Sequence, residues 1–152
     1  MRLRLLTIPL LLLVVACDGP PTPEPTPKED IPKPQVVAEE DFVVTESGLK
    51  IYDITVGDGD LASSGDRVGV HYHAWLADGE FVDSSYLREA PFEFTLGIGF
   101  VIAGWDEGIP GMRVGGARQL VIPPELAYGE QGRGNIPPNA TLIFECQLVS
   151  VQ

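Results

Sequence analysis

Residues 101–112 read VIAGWDEGIPGM, and they carry the clearest helical pattern in the chain. The large apolar residues Val101, Trp105, Ile109 and Met112 recur at helical spacing, which predicts an amphipathic helix. Gly104, Gly108 and Pro110 limit that helix to about two turns. Because so short a helix cannot cover a core by itself, we expect strands to supply the other layer.

The clearest strand prediction is residues 67–76, where apolar residues alternate with others. One face would carry Val68, Val70, Tyr72, Ala74 and Leu76, and the other Arg67, Gly69, His71, His73 and Trp75. Further strands are predicted within residues 49–54, 92–96, 118–122 and 140–149. Several strands with one short helix predict an α+β fold, in which an antiparallel β-sheet is wrapped over the helix.

The N-terminus has the pattern of a secretory signal. Arg2 and Arg4 precede an apolar run at residues 5–16, too short for a bilayer core that needs about 20 helical residues. A basic start and a short apolar stretch that ends at a small residue are typical of a cleaved signal. The alternative is a buried terminal helix, which is less favoured because nothing amphipathic follows. We therefore predict a signal peptide at residues 1–16.

The end of this run, Val14-Val15-Ala16-Cys17, resembles the lipobox of bacterial lipoproteins. The resemblance implies that Cys17 is lipidated and anchors the protein to a membrane of the bacterial cell envelope. The alternative is an ordinary signal followed by a chance cysteine. Asp18 resembles an inner-membrane retention signal, but that rule does not transfer between bacterial groups. The periplasmic face of the inner membrane and the outer membrane both stay open.

The next segment is rich in proline. Residues 18–41 contain seven prolines in 24 residues, and most of the others are polar. Such a composition cannot bury enough apolar surface to offset its ordering entropy, and proline at this density favours an extended chain. We predict that residues 17–41 comprise the lipidated cysteine and a disordered linker, and that residues 42–152 form the folded domain.

Composition and motifs exclude several function classes. The formal charge is −12 and no basic patch is present, so nucleic-acid binding is not expected. There is no phosphate-binding loop and no signature of a nucleophilic or zinc hydrolase. His71 and His73 share a strand face without a third ligand near in sequence, so no metal site and no cofactor are predicted. Cys146 is predicted to be a small buried hydrophobe.

Eight short motifs in residues 45–150 together resemble the FKBP-type peptidyl-prolyl isomerases. They are VHY at 70–72, DG at 78–79 with DSS at 83–85, PFEFTLG at 91–97, VIAGWDEG at 101–108, MRVG at 112–115, AYG at 127–129, IPP at 136–138 and ATLIF at 140–144. Their order and spacing match along nearly the whole domain. The resemblance implies a half-barrel of antiparallel strands around one short α-helix.

The resemblance also implies a binding pocket for a proline ring. Trp105 would form its floor, and Tyr72, Phe92 and Phe144 would form its walls. The full set carried over to this sequence is Tyr72, Asp83, Phe92, Val101, Ile102, Trp105, Tyr128, Ile136 and Phe144.

Three further roles follow from the same resemblance. The hydroxyl of Tyr128 and the backbone N–H of Ile102 would donate hydrogen bonds to the substrate. Asp83 would orient the pocket through Tyr72 and Arg88. These residues imply catalysis without a covalent intermediate or a metal.

Two readings of the segment before Asp83 stay open. The family usually has an aromatic residue directly before this aspartate, whereas here Val82 holds that place and Phe81 comes one residue earlier. Val82 would leave one wall of the substrate pocket wider, or a bulge would return Phe81 to it. The loop at residues 130–135 is one residue shorter than a common family form, so that Asn135 would replace an apolar contact next to Ile136.

The function implied is isomerisation of X-Pro bonds during the folding of exported proteins. The partners would be unfolded or exported polypeptides that contain proline, and macrolides such as rapamycin. A monomer is expected. The alternatives are a binding module or chaperone for proline-containing segments with little turnover, and a structural lipoprotein that does not bind them.

Overall fold

The computed structural model describes residues 31–152, in which Pro32–Gln152 form one compact unit. The predicted signal peptide, Cys17 and the linker as far as residue 30 lie outside the described residues. The strands are β1 Val43–Val44, β2 Lys50–Thr55, β3 Arg67–Leu76, β4 Phe81–Ser84, β5 Phe92–Thr95, β6 Ala117–Ile122 and β7 Leu142–Val151, and the helix is α1 Ala103–Gly108. Short 3-10 turns occupy Glu39–Asp41, Tyr86–Arg88 and Pro124–Leu126.

The strands form one antiparallel sheet in the order β1-β2-β6-β7-β3-β4, and β5 also pairs with β3. The two longest strands, β3 and β7, pair along most of their length at the middle of the sheet. Within residues 31–152 this confirms the predicted α+β class, with an antiparallel sheet and one short α-helix. The half-barrel curvature stays a prediction.

Helix α1 approaches the sheet closely because glycines face it. A Cβ at Gly104 would lie 2.5 Å from Cγ2 of Ile122, and one at Gly108 would lie 2.7 Å from Cδ2 of Leu120. Both distances are shorter than carbon atoms tolerate, so these positions admit only glycine without movement of β6. No helix of residues 31–152 is long and apolar enough to cross a membrane.

The core lies between α1 and the inner face of the sheet. The alternation predicted for β3 is confirmed, since Val68, Val70 and Ala74 are all buried. The alternating residues of β7 meet them, and Cys146 among these is 1% exposed. Burial raises the pKa of the Cys146 thiol, which confirms its prediction as a small buried hydrophobe rather than a nucleophile.

The outer face of the sheet is contacted by residues 32–35, which we call the strap. The indole Nε1 of Trp75 on β3 donates to the carbonyl oxygen of Pro32 over 3.1 Å. Nε2 of Gln119 on β6 donates to the carbonyl oxygen of Gln35 over 2.8 Å. Trp75 and Gln119 are only 1% and 2% exposed as a result. The predicted linker therefore includes a stretch that contacts the sheet, and the outward-facing Trp75 is covered by it.

Candidate functional site: an aromatic cleft

A cleft opens on the inner side of the sheet, between the loop that precedes α1 and the loop that follows β6. One half of it, about 350 Å³, is lined by Tyr72, Phe92, Phe100, Val101, Ile102, Trp105, Ala127, Tyr128, Arg133 and Phe144. The other half, about 430 Å³, is lined by Tyr72, Ala74, Asp83, Phe92, Tyr128, Arg133, Gly134, Asn135, Ile136 and Phe144.

Trp105 of α1 forms the floor of the first half. Its ring lies edge-on to those of Tyr72 and Phe144, with centroids 5.2 and 5.4 Å away, and Phe92 and Phe94 also contact it. Such edge-to-face pairs fix the rings relative to one another. Within residues 31–152 the buried Nε1 of Trp105 has no hydrogen-bond partner. A buried donor without a protein partner calls for an explanation, and a bound water or a ligand group at this place would supply one.

A polar network supports one wall of the cleft. The Tyr72 hydroxyl donates to Oδ2 of Asp83 over 2.5 Å, and Arg88 donates to Oδ1 of Asp83 over 2.9 Å. Arg88 also donates to the Tyr72 hydroxyl over 2.7 Å, which closes a triangle of hydrogen bonds. On the main chain, Ser85 Oγ accepts from the Tyr72 N–H over 2.9 Å. The Tyr72 ring is therefore held from both ends.

The network fixes the protonation states of its members. Burial, and then the Asp83 carboxylate, raise the pKa of Tyr72 to about 12, so its hydroxyl keeps its proton. Burial opposes ionisation of Asp83, but the hydrogen bonds from Arg88 and Tyr72 outweigh it and lower the pKa of Asp83. The wall at neutral pH therefore consists of a neutral phenol between a carboxylate and a guanidinium.

The loop before α1 is held by Asp106. Its Oδ1 accepts from the Gly97 N–H and its Oδ2 from the Gly99 N–H, both over 2.8 Å. Both glycines have a φ of 75°, which other residues rarely adopt. This clamp fixes the backbone that leads to Ile102, whose N–H makes no hydrogen bond with another of residues 31–152.

The loop after β6 brings Tyr128 to the opposite side. The N–H groups of Ala127 and Gly129 both donate to the carbonyl of Pro124, so the chain turns tightly around Tyr128. The Tyr128 hydroxyl has no partner among the described residues, and the guanidinium of Arg133 lies 5.6 Å from the centre of its ring. Tyr128 is therefore a donor that is free to meet a bound molecule.

All nine residues of the predicted pocket line the cleft, but Val82, which was expected at its wall, does not. Strand β4 pairs with β3 as Ala74 to Asp83 and Trp75 to Phe81, so Val82 is the extra residue of a bulge. Val82 packs against the core beside the cleft, whereas Phe81 is in neither the core cluster nor the lining. The bulge thus does not return Phe81 to the pocket, and a valine stands where the family usually has an aromatic.

The sequence reasoning missed Ala74, Phe100, Ala127, Arg133 and Gly134 as residues of the cleft lining. Phe100 is 67% exposed, although it is a large aromatic. The signal that could have found it is its place in a glycine-flanked loop next to Val101, where the core offers it no room. Arg133 carries no such signal, because charged residues in loops are ordinary.

The cleft can hold a compact apolar ring on Trp105 and present donors to one carbonyl group. Its lining combines aromatic and aliphatic side chains with a small number of polar groups, which is typical of a ligand-binding site. Among residues 31–152 no three potential metal ligands lie together.

Known proteins are similar to this chain in sequence and in fold. The profile of the family described as FKBP-type peptidyl-prolyl cis-trans isomerase matches residues 59–149. The chain is 51% identical over 105 residues to the FK506-binding protein of Neisseria meningitidis serogroup B, covering 68% of this chain and 96% of that protein. It is 45% identical over 128 residues to FK506-binding protein 3 of Yarrowia lipolytica, covering 84% of this chain but only 30% of that longer protein.

A solved structure is also similar to this chain in fold and sequence. The crystal structure of FkpA from Escherichia coli matches with a TM-score of 0.70 at 41% identity, covering 75% of this chain and 53% of that one. The family match spans more than half of the chain and contains most of the cleft, including Tyr72, Trp105 and Tyr128. The chain therefore belongs to the FKBP-type peptidyl-prolyl cis-trans isomerase family.

Proposed function

We propose that this protein accelerates the cis/trans isomerisation of X-Pro bonds in exported polypeptides by holding the prolyl ring in the aromatic cleft. The observation that carries the proposal is the position of Trp105, which forms the floor of a cavity large enough for a prolyl ring. Its indole N–H has no partner among the described residues. No nucleophile or metal is needed, because the reaction breaks no covalent bond.

The barrier to this reaction is the loss of amide resonance. Rotation about a peptide bond costs about 18–20 kcal/mol, and X-Pro bonds isomerise over tens of seconds or longer. The planar amide has more charge separation than the twisted transition state, so an apolar cleft stabilises the planar form less than water does. A rate gain of about 10⁴ needs only ~5.5 kcal/mol of differential binding.

Donors at the rim would complete the stabilisation. The hydroxyl of Tyr128 and the N–H of Ile102 have no partner among the described residues and would meet carbonyl groups of the substrate. Asp83 acts through Tyr72, because its carboxylate fixes that ring against Trp105. Macrolides such as rapamycin would occupy the same cleft.

A second candidate is a binding module that holds proline-containing segments with little turnover. Val82 favours it, since a valine at the bulge replaces an aromatic wall and packs against the core rather than facing the cleft. A wider cleft would still bind a prolyl ring but would restrain the twisted amide less.

The cellular setting belongs to the proposal as well. The lipobox-like sequence at residues 14–17 supports cleavage before Cys17 and lipidation of that cysteine, and hence a chain tethered to a membrane of the cell envelope. Expression in a bacterial host with labelled palmitate tests this. We expect label in the wild-type chain and none in Cys17→Ser, and an unlabelled wild-type chain would refute the anchor.

The activity is tested with the full chain in mild detergent. The cis-to-trans relaxation of a short X-Pro peptide is followed without a protease, with and without rapamycin. We expect acceleration that rapamycin abolishes. Rapamycin binding without acceleration would favour the binding module. The absence of both acceleration and rapamycin binding would refute both candidates.

A further inference from the structure

Two arginines at the cleft differ in how their charge is used. Arg88 donates to both Asp83 and Tyr72, so its guanidinium is occupied. The guanidinium of Arg133 makes no hydrogen bond or ion pair with any of residues 31–152, and its described side-chain contact is the face of the Tyr128 ring. Arg133 is exposed. It is therefore a positive charge at the cleft that is available to a ligand.

The backbone holds this charge in place at the rim. The N–H of Arg133 donates to the Ile136 carbonyl over 2.9 Å, and the Ile136 N–H donates back over 2.8 Å. Gly132 is packed tightly beneath, since a Cβ there would lie 2.4 Å from the Ile136 carbonyl oxygen. Because Arg133 lines both halves of the cleft, its side chain borders the bound segment wherever the prolyl ring rests.

Neighbouring acidic groups leave Arg133 free. Glu130 lies three residues earlier on the same loop, yet no ion pair joins it to Arg133 in the described part of the chain. Asp83 on β4 also lines the cleft, but Arg88 neutralises it. The formal charge of −12 acts at longer range, where salt screens it within about 8 Å at physiological ionic strength.

We propose that Arg133 makes the cleft select X-Pro segments that carry an aspartate or glutamate next to the proline. The inference rests on the proposed isomerase function and adds the substrate class. Arg133 and Tyr128 line the same cleft, and consecutive Cα atoms are only 3.8 Å apart, so a carboxylate beside a proline bound there would lie in the neighbourhood of the guanidinium. Arginine binds a carboxylate through two parallel hydrogen bonds, and such charged pairs are stronger than neutral ones.

The experiment compares matched peptides with the full chain. Four peptides differ only in having glutamate or glutamine directly before or directly after the proline, and kcat/KM is measured without a protease. We expect glutamate to be favoured over glutamine by about threefold in one of the two positions, as for an exposed ion pair. The ratio should fall to about 1 in Arg133→Gln and decline with added salt.

Arg113→Gln is the matched control. Arg113 is also exposed, and its substitution removes the same charge. It lies outside the cleft lining and donates to the Gly59 carbonyl. The ratio should persist in this variant. An equal loss in both variants, or a ratio unchanged in Arg133→Gln, would overturn the inference while leaving the isomerase intact. Absence of acceleration with all four peptides would overturn the proposed function and this inference with it.

Discussion

One tryptophan lies at each face of the sheet: Trp75 of β3 at the outer face and Trp105 of α1 at the inner face. The two differ in whether the indole N–H has a hydrogen-bond partner. Trp75 on the outer face is covered by the chain itself, and its indole N–H donates to the strap. Trp105, under the inner face, is equally buried within the domain, but its indole N–H has no partner among the described residues.

This difference separates stability from function. On the outer face the protein satisfies its own donor, and Trp75 is buried within the domain. On the inner face the aromatic rings surround an open volume of about 350 Å³ and leave the Trp105 indole N–H without a protein partner. The inner tryptophan should therefore govern activity and the outer one stability.

The strongest test of this comparison is Trp105→Leu. Leucine keeps the floor apolar but removes the aromatic surface under the prolyl ring. We expect the isomerase activity to fall by about 100-fold, equal to ~2.7 kcal/mol of transition-state stabilisation. Turnover of an X-Pro peptide measures this, and far-UV circular dichroism confirms that the variant is folded. An active, folded variant would remove Trp105 from the mechanism.

The counterpart is Trp75→Phe. It keeps an aromatic ring on the outer face but removes the hydrogen bond to the Pro32 carbonyl. We expect the free energy of unfolding to fall by about 1–2 kcal/mol and activity to stay at the wild-type level. Urea unfolding and peptide turnover are measured on the same sample. A loss of activity without a loss of stability would contradict the separation of the two faces.

A smaller effect is expected at the other end of the strap. Gln119→Ala removes the donor to the Gln35 carbonyl and to Oε1 of Glu145, and should lower the free energy of unfolding by about 1 kcal/mol. Gln147→Ala is the control, because Gln147 is exposed on β7 and donates nothing to the strap, so a change within about 0.5 kcal/mol is expected. Equal losses in urea unfolding would show that the strap contributes nothing at Gln119.

The smallest effect concerns pH. Because the folded protein lowers the pKa of Asp83, the ionised carboxylate stabilises the fold. That contribution is fully present above the unfolded value of about 3.9 and is lost as pH falls through the lower folded value. Urea unfolding below about pH 4 should therefore show a steeper loss for the wild type than for Asp83→Asn. Parallel curves would mean that the network adds no stability.

Much of the fold was predictable from local patterns. The alternation in residues 67–76 predicted β3 and its buried face, and the glycine-limited helical spacing around Trp105 predicted a helix as short as α1. The cleft residues come from distant segments, so periodicity alone could not bring them together. The family motifs did, because they encode a fold in which these segments meet.

Two features lay beyond such reasoning. The proline content of the strap predicts part of a solvated, extended linker. Nothing in the local sequence indicates that Trp75 and Gln119 donate hydrogen bonds to its carbonyl groups. The register at Val82 depends on a bulge, and a bulge is decided by pairing between strands. In both cases the determining contacts join residues far apart in the sequence.

The separation of the two tryptophans has a spectroscopic consequence. The chain contains only two tryptophans, and each reports on one face of the sheet. In Trp75→Phe all indole fluorescence would come from Trp105, so emission and quenching would follow occupancy of the cleft directly. In a variant that keeps only Trp75, the same signal would follow release of the strap. One optical measurement, made on two single-tryptophan proteins, would then time ligand entry and strap detachment independently.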